Sequence, residues 1–189
     1  IGEGERSPQV VVLGDSHALM WSHVIRTVSD KLGLKSSFYS MRGVSPFVNL
    51  PLSRNQQVRH LSPVEKYEYD ASRLRYIEQW HPQIVFVSVR WSTYANEPIG
   101  DLFKFLEQHA DHVILIEQPP ELAIGNRNAE QYLCYRQVDP EEGMREYLPI
   151  ANEEPGKKGR EFLSLLSRTY NNCRRLPTYD LYSKDSQAL

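Results

Sequence analysis

A serine at a strand-to-helix junction is the first candidate for chemistry in this chain of 189 residues. Residues 9–21 read QVVVLGDSHALMW, an apolar strand followed by a Gly-Asp-Ser turn and a helix. In an α/β protein such a junction lies at the carboxyl edge of the sheet, where these folds bind ligands. The first N–H groups of the helix lack intrahelical partners and suit an oxyanion formed when Ser16 attacks a carbonyl. Alternatively, Asp15 or Ser16 only caps the helix.

Length and composition predict one globular domain. Apolar residues make up 40% of the chain and charged residues 24%, which is ordinary usage. No apolar run reaches the ~20 residues that cross a bilayer. With 22 basic and 24 acidic residues, the net charge of -2 gives no reason to expect a nucleic-acid partner. The chain starts without methionine and without a signal peptide, so we expect a piece of a longer protein.

The two cysteines carry little information at this stage. Cys134 and Cys173 fit neither a metal site nor a C-x-x-C redox motif. They form either one disulfide or two inert thiols, because composition alone does not reveal the redox compartment.

The helix after Ser16 is predicted to pack one apolar face on the sheet. Its apolar residues recur at helical spacing before the stop signal of Gly33: Trp21, Val24, Ile25, Val28 and Leu32. A second strand is predicted over 34–41, and the turn after it contains Gly43. From 47 to 61 the pattern is lost among proline and amide residues, which predicts an irregular excursion.

The next helix has the clearest start in the sequence. Ser62 and Glu65 form a capping box around Pro63 at the first helical position. The apolar residues expected to face inward are Val64, Tyr67, Ala71, Leu74 and Ile77. Pro82 ends this helix, and the run IVFVSV at 84–89 predicts a strand that helices bury on both faces.

The rest of the chain continues the alternation of strands and helices. A helix opening at Pro98, a strand over 112–117, a final helix over roughly 157–171 and a fifth strand over 176–182 are predicted. The two helices are expected to turn these residues inward: Ile99, Leu102, Phe103 and Leu106 in the first, and Phe162, Leu165, Leu166 and Tyr170 in the second. Residues 118–155 predict a long loop with one short helix at 129–135. This order predicts a three-layer α/β sandwich with a central parallel sheet.

Three turns, each after a predicted strand, resemble those of the SGNH (GDSL-like) hydrolase superfamily. The likeness is closest to the SGNH domain fused to membrane acyltransferase-3 proteins, which O-acylate cell-surface sugars. GDSH at 14–17 matches the end of the family's first strand, where the serine is the nucleophile. Gly43 matches the glycine whose backbone N–H joins the oxyanion hole, and RWSTY at 90–94 matches the R-W-S-x-Y turn of the fused branch. The resemblance covers roughly residues 9–182.

The resemblance implies a flavodoxin-like fold and a serine-nucleophile O-acyltransferase or esterase. Ser16 would be the catalytic nucleophile, and the N–H groups of Ser16 and Gly43 would form the oxyanion hole. The residues that the resemblance offers for substrate binding are Asp15, His17, Arg90, Trp91 and Ser92. The expected partners are an acyl donor, with acetyl the expected group, a cell-surface carbohydrate acceptor and an N-terminal multi-pass acyltransferase domain. Neither a metal nor an organic cofactor is required, and the expected location is extracytoplasmic.

Three of these substrate-binding residues have a structural alternative. Arg90 is either a strand-end residue paired to a carboxylate or a fork of donors for an acyl carbonyl or a sugar hydroxyl. Trp91 and Tyr94 are either a flat wall for a sugar ring or part of the core. His17 either orients the turn or lines the pocket, because neighbouring residues of a helix do not face each other.

The family's catalytic base is missing from these residues. That base is a histidine in a late D-x-x-H block, whereas 185–188 reads D-x-x-A and no histidine follows His112. Either the fragment ends before the block, which we expect, or the protein has lost its base. The usual asparagine of the third turn is absent too, which leaves one oxyanion donor unassigned. We therefore expect a single domain over 1–189, truncated at its C-terminus and cut from a larger membrane protein.

Two other functions stay open. The first is a non-catalytic module of the same fold that binds carbohydrate or an acylated ligand. The second is a flavodoxin-like domain that binds phosphate at the N-terminus of the Ser16 helix, although the first turn lacks a glycine-rich phosphate loop.

Overall fold

The computed structural model describes residues 7–50, 61–119, 121–122 and 151–178. Its elements in chain order are β1 (Val10–Gly14), α1 (Ser16–Lys31), β2 (Ser36–Ser40), α2 (Pro63–Trp80), β3 (Ile84–Ser88), α3 (Trp91–Tyr94), α4 (Gly100–His109), β4 (His112–Ile116), β5 (Glu121–Leu122), β6 (Ala151–Asn152), α5 (Glu153–Thr169) and β7 (Cys173–Leu176). Five strands form one parallel sheet in the order β2-β1-β3-β4-β7, and β5 pairs antiparallel with β6.

The direction of winding reverses at β1. The chain passes from β1 to β2 on one side of it and then returns to place β3 on the other side. Gly14 at the end of β1 lies in register with Ser40 of β2 and Ser88 of β3. The turns after all three strands therefore meet at one sheet edge, at the switch point where open α/β folds bind ligands. The predicted parallel α/β fold is confirmed.

Helices cover both faces of the sheet. Alternate side chains of a strand point to opposite faces. Val11 and Leu13 of β1 belong to a large core cluster that also contains residues of α2, α4 and α5. Val10 and Val12 belong to a smaller cluster with Ala18 and Ile25 of α1. The three-layer arrangement follows from this division.

The predicted inward face of α1 is partly wrong. Ile25 is buried and Trp21 packs on the core, but Val24 and Val28 are each 50% exposed and Leu32 is 66% exposed. The buried face of the helix is instead formed by Ala18, Ile25 and Ser29. Ala18 lies close to Gly14 at the end of β1, which leaves room for a small side chain only, and helical spacing of apolar residues does not reveal that approach.

The start of α2 is confirmed, but its predicted inward face is partly wrong. Ser62 Oγ accepts from Glu65 N at 3.2 Å, and Glu65 Oε2 accepts from Ser62 N at 2.7 Å, which completes the capping box. Of the predicted face only Ile77 is fully buried and Leu74 is half-buried, whereas the other three side chains are exposed: Val64, Tyr67 and Ala71. In their place α2 buries three charged residues, Lys66, Asp70 and Arg73. Lys66 and Arg73 donate to backbone carbonyls inside the protein and pair with Asp70, which a pattern of apolar residues does not reveal.

The predicted inward face of α4 is confirmed, since Leu102, Phe103 and Leu106 are buried and Ile99 is buried just before the helix. In α5, Leu166 is buried and Phe162 packs on the core, and Tyr170 is buried just after the helix. Leu165, however, is 58% exposed, and Leu163 takes the inward position.

The last strand starts three residues before its predicted position, at Cys173, which pairs with Val113. Arg174 and Arg175 are exposed on this edge strand. The strand therefore has no run of apolar residues from which its start could be predicted. Cys173 is a free, buried thiol, and burial raises its pKa to about 12. The predicted short helix at 129–135, Cys134 and residues 179–182 lie outside the described residues.

A methyl group at Gly14 should disrupt the contact between β1, β3 and α1. A Cβ there would lie 2.0 Å from Ser88 O and 2.5 Å from Ala18 Cβ. Gly33 has a φ of +68° but open space around it, so alanine there would strain the backbone without a steric clash. We expect Gly14→Ala to lower the free energy of unfolding by about 3 kcal/mol and Gly33→Ala by about 1 kcal/mol. Urea denaturation measures both, and equal losses would contradict this packing.

Candidate active site

Ser16 is the first residue of α1 and follows β1 by two residues. It is partly exposed at the carboxyl edge of the sheet. Among the described residues, no side chain hydrogen-bonds to its hydroxyl. Its own N–H belongs to the first turn of α1, where backbone donors lack intrahelical partners. The predicted strand-to-helix junction is confirmed, and the serine lies beside donors that suit an oxyanion.

Asp15 links the turn after β1 to the turn after β3. Its Oδ1 accepts hydrogen bonds from His17 N at 2.8 Å and from His17 Nδ1 at 3.1 Å. Its Oδ2 accepts from Arg90 N at 3.1 Å, across the switch point. The carboxylate is nearly buried, with 5% of the residue exposed. Asp15 is thus the N-cap of α1, and protein donors use both of its oxygens.

The imidazole of His17 is held by the same carboxylate. Because Nδ1–H donates to Asp15, the neutral ring carries its lone pair on Nε2. The ring does not hydrogen-bond to Ser16, and its bond to Asp15 holds it against the turn.

The other described histidines are remote from Ser16. His81, His109 and His112 lie before β3 or at the start of β4, at the opposite edge of the sheet. His23 is exposed on α1, and His60 lies outside the described residues.

Gly43 lies in a tight turn after β2, at the same sheet edge as Ser16. Met41 N donates to Gly14 O at 3.3 Å, which extends the pairing of β2 with β1, and Val44 N donates to Met41 O at 3.1 Å. Gly43 is the third residue of this turn and has a φ of +72°, which favours glycine. The turn's own hydrogen bond uses the N–H of Val44.

The turn after β3 separates into a buried part and an exposed part. Trp91 is fully buried, its Nε1 donates to Ile116 O at 2.6 Å, and its ring packs near Phe47. Tyr94 is also buried against Phe47, so the core alternative holds for both aromatic residues. Arg90 is exposed, and Ser92 N donates to Gln118 Oε1 at 3.0 Å.

An open cleft of about 520 Å³ lies between the turn after β3 and the start of α5, and Arg90, which lines it, is joined to the Ser16 turn through Asp15. Arg90 and Lys158 contribute positive charge, Glu154 contributes negative charge, and two hydroxyl groups add polar contacts to a lining that is about half apolar. The lining residues are Arg90, Ser92, Thr93, Glu154, Pro155 and Lys158. The sequence did not predict that α5 lines this cleft, because the position of α5 depends on the course of the chain between 119 and 151.

Sequence reasoning also missed two polar residues at the end of β4. Glu117 is 1% exposed, pairs with Arg175 and accepts from Thr178 N at 3.0 Å. Gln118 supplies the acceptor for Ser92. They could have been found from the sequence, because two polar residues directly follow the strand HVILI, at the sheet edge where sites form.

Comparison with known proteins identifies the family. A model of the "SGNH domain (fused to AT3 domains)" matches residues 1–188. The chain belongs to this family of SGNH domains. A comparison with curated protein sequences gave no match.

The SGNH domain also has a structural neighbour. The structure of the periplasmic domain of a lipopolysaccharide acetyltransferase from Salmonella ser. Paratyphi A superposes with a TM-score of 0.64 at 14% sequence identity. The match covers 96% of this chain and 70% of that chain. At this identity the likeness shows the fold alone.

Two further properties bear on the site. Among the helices that the structure describes, none has both the length and the apolar character to cross a membrane. Within the same residues, no group of three or more His, Cys, Asp or Glu side chains is arranged to hold a metal ion.

The buried phenol of Tyr94 should make stability depend on alkaline pH. Burial and the nearby charge of Asp15 raise its pKa from 10 to about 12, against the hydrogen bond with Ser45. A raised pKa means that the folded state holds the proton more tightly, so its stabilisation is complete below pH 10 and is lost towards pH 12. The loss is about 1.4 kcal/mol per pH unit at most.

We therefore expect the unfolding free energy of the SGNH domain to fall more steeply between pH 10 and 12 than that of Tyr94→Phe. The matched control is Tyr67→Phe, since Tyr67 is 74% exposed and its loss should leave the pH dependence unchanged. Parallel curves for the unmodified domain and Tyr94→Phe would contradict the assignment.

Proposed function

We propose that this SGNH domain is a serine-nucleophile O-acyltransferase or esterase that acts on acetyl or other acyl groups of cell-surface carbohydrate. The observation that carries the proposal is the position of Ser16 at the switch point. There Asp15 joins the first turn of α1 to the turn after β3. The family and the acetyltransferase neighbour support acyl-group chemistry, and the residue roles are our inference.

In the proposed reaction, Ser16 Oγ attacks the carbonyl carbon of the acyl donor. The new C–O bond forms as the hydroxyl proton passes to a base, and the carbonyl electron pair moves onto oxygen. The N–H groups of Ser16 and Gly43 stabilise that oxyanion. When the tetrahedral intermediate collapses, the oxygen of the acyl donor leaves and takes the proton from the base. Ser16 is then acylated. A sugar hydroxyl or water then attacks the acyl-serine, loses its proton to the same base and releases Ser16.

We assign the acceptor to the cleft between the turn after β3 and the start of α5, because its residue Arg90 is joined to Asp15 of the Ser16 turn. Arg90 and Lys158 can donate to ring or hydroxyl oxygens, and Glu154 can accept from hydroxyl groups. Ser92 and Thr93 provide further polar contacts. Trp91 is not included, because its buried ring supports the turn from the core. The lining is about half polar, so it offers a sugar both hydrogen-bond partners and apolar surface.

The base is proposed to lie outside residues 1–189. None of the described histidines hydrogen-bonds to Ser16, and Asp15 binds the Nδ1 of His17. The family's base lies in a late D-x-x-H block, whereas no histidine follows His112 here and residues 185–188 read D-x-x-A. The proposal therefore includes a histidine in the native continuation of the chain.

The second candidate is a non-catalytic module that binds carbohydrate or an acylated ligand in the same cleft. The same observation favours it, since a serine without a base can retain binding while losing most of its turnover. The parent sequence separates the two candidates, because only the catalytic one requires D-x-x-H beyond residue 189.

We further propose that the parent carries this domain outside the cytosol, attached to an N-terminal multi-pass acyltransferase domain. Support comes from the family's fusion to AT3 domains and from the periplasmic origin of the structural neighbour. A parent sequence without apolar stretches of ~20 residues before Ile1 would contradict this arrangement.

Residues 1–189 alone should hydrolyse an activated acetyl ester poorly, because Ser16 is a weak nucleophile without a base. Restoring the native continuation should raise kcat/KM by several powers of ten, the usual effect of a complete triad. Release of p-nitrophenol from its acetate measures this. Ser16→Ala should abolish the gain and change the short chain little. Rapid, Ser16-dependent hydrolysis by the short chain would show that a base exists within these residues.

A further inference from the structure

Helix α2 buries charge where an apolar face would be expected. Lys66, Asp70 and Arg73 are 5%, 7% and 1% exposed, and they follow one another at helical spacing along the inner face. Ionised side chains are costly to bury unless they are paired and hydrogen-bonded. The three charges therefore require a local reason.

The contacts of the cluster point to the loop after β2. Asp70 pairs with both cations, with Lys66 Nζ through Oδ2 and with Arg73 Nη2 through Oδ1 at 2.8 Å. The cations also donate to backbone carbonyls. Arg73 Nη2 donates to Pro46 O, and Lys66 Nζ donates to Phe47 O at 3.4 Å. One carboxylate thus aligns two cations, and each cation binds one carbonyl of the same loop.

These two carbonyls lie directly after the turn that contains Gly43. At its start, the turn is bound to β1 through Met41 N and Gly14 O. At its end, Phe47 is fully buried among Trp91, Tyr94 and Phe103. The interior position of this segment leaves its carbonyls without water, and buried carbonyls require donors. The cations of α2 supply those donors and fix the end of the turn.

We propose that Lys66, Asp70 and Arg73 are positioning residues that hold the Gly43 turn at the distance from Ser16 that the oxyanion requires. This inference rests on the proposed function, in which the Gly43 N–H is an oxyanion donor. The cluster acts through the backbone of the loop and does not touch the substrate. The buried charges keep one backbone donor, the Gly43 N–H, in place. Accurate placement matters because a displaced donor loses most of its effect on the transition state.

Four variants test the proposal. Lys66→Met removes one donor and leaves a neutral Asp70–Arg73 pair, so it is the variant with the best prospect of folding. Arg73→Met removes the donor to Pro46, and Arg73→Lys keeps the charge but not the fork of donors. The matched control is Ile77→Val, which loosens the buried face of the same helix one turn after Arg73 and removes no donor to the loop carbonyls.

The first readout needs no activity. In nitrogen-15 NMR spectra of residues 1–189, the amide resonance of Gly43 should shift or broaden in Lys66→Met and Arg73→Met, and less in Arg73→Lys. The amide of Gly33 is the internal control, because it also has positive φ but lies at the C-terminal end of α1. It should stay in place in every variant, and Ile77→Val should move neither glycine.

The second readout is ester hydrolysis by the domain with its native continuation. We expect kcat to fall about 10- to 100-fold in the two Met variants with KM changed less than about twofold, a smaller fall in Arg73→Lys, and no change in Ile77→Val.

An unmoved Gly43 resonance, or a kcat loss matched by Ile77→Val, would overturn the proposal. If Ser16→Ala does not reduce hydrolysis, the proposed function fails, and the Gly43 resonance alone decides whether the cluster positions the turn. If Arg73→Met does not fold, Lys66→Met decides.

Discussion

One carboxylate holds the two halves of the candidate site together. Asp15 accepts from its own helix through Oδ1 and from Arg90 N through Oδ2, across the point where the strand order reverses. Parallel strands leave a crevice there, because neighbouring chain segments depart in opposite directions. Without an acceptor in that crevice, the first turn of α1 and the start of the β3 turn would each lack a partner for a backbone donor. The place of Ser16 relative to Arg90 and the cleft depends on this bridge.

The third turn of the site is held differently. The turn with Gly43 ends in a segment that enters the core, where the carbonyls of Pro46 and Phe47 accept from cations of α2. Burial lowers the pKa of both Lys66 and Arg73, which Asp70 opposes by favouring their charged forms. A charged helix face therefore replaces part of the apolar core at the place where a backbone donor must be placed accurately. Natural proteins often break local sequence rules at functional sites.

The same contrast explains what the sequence could reveal. Some features depend on local patterns and could be predicted from the sequence. They include β3 from the run IVFVSV, the turn with Gly43 after β2, and the start of α2 from the Ser62–Glu65 pair. The inner face of α2 depends on a loop that is distant in sequence, so apolar spacing selected Val64 and Tyr67 when Lys66 and Arg73 are buried. The contribution of Glu154 and Lys158 to the cleft likewise depends on how α5 is brought to the sheet edge. For Asp15 and Trp91 the sequence offered the cap and the core as alternatives to substrate binding, and the contacts in the structure show the cap and the core side chain.

The most direct test of this description is a crystal structure of the domain with its native continuation after reaction with a p-nitrophenyl phosphonate. The phosphorus should be bonded to Ser16 Oγ. One phosphonyl oxygen should lie about 2.7–3.1 Å from the backbone nitrogens of both Ser16 and Gly43, the distance expected for an oxyanion hole. A phosphonate on another side chain, or one whose oxygen points away from Gly43, would contradict the assignment of the site.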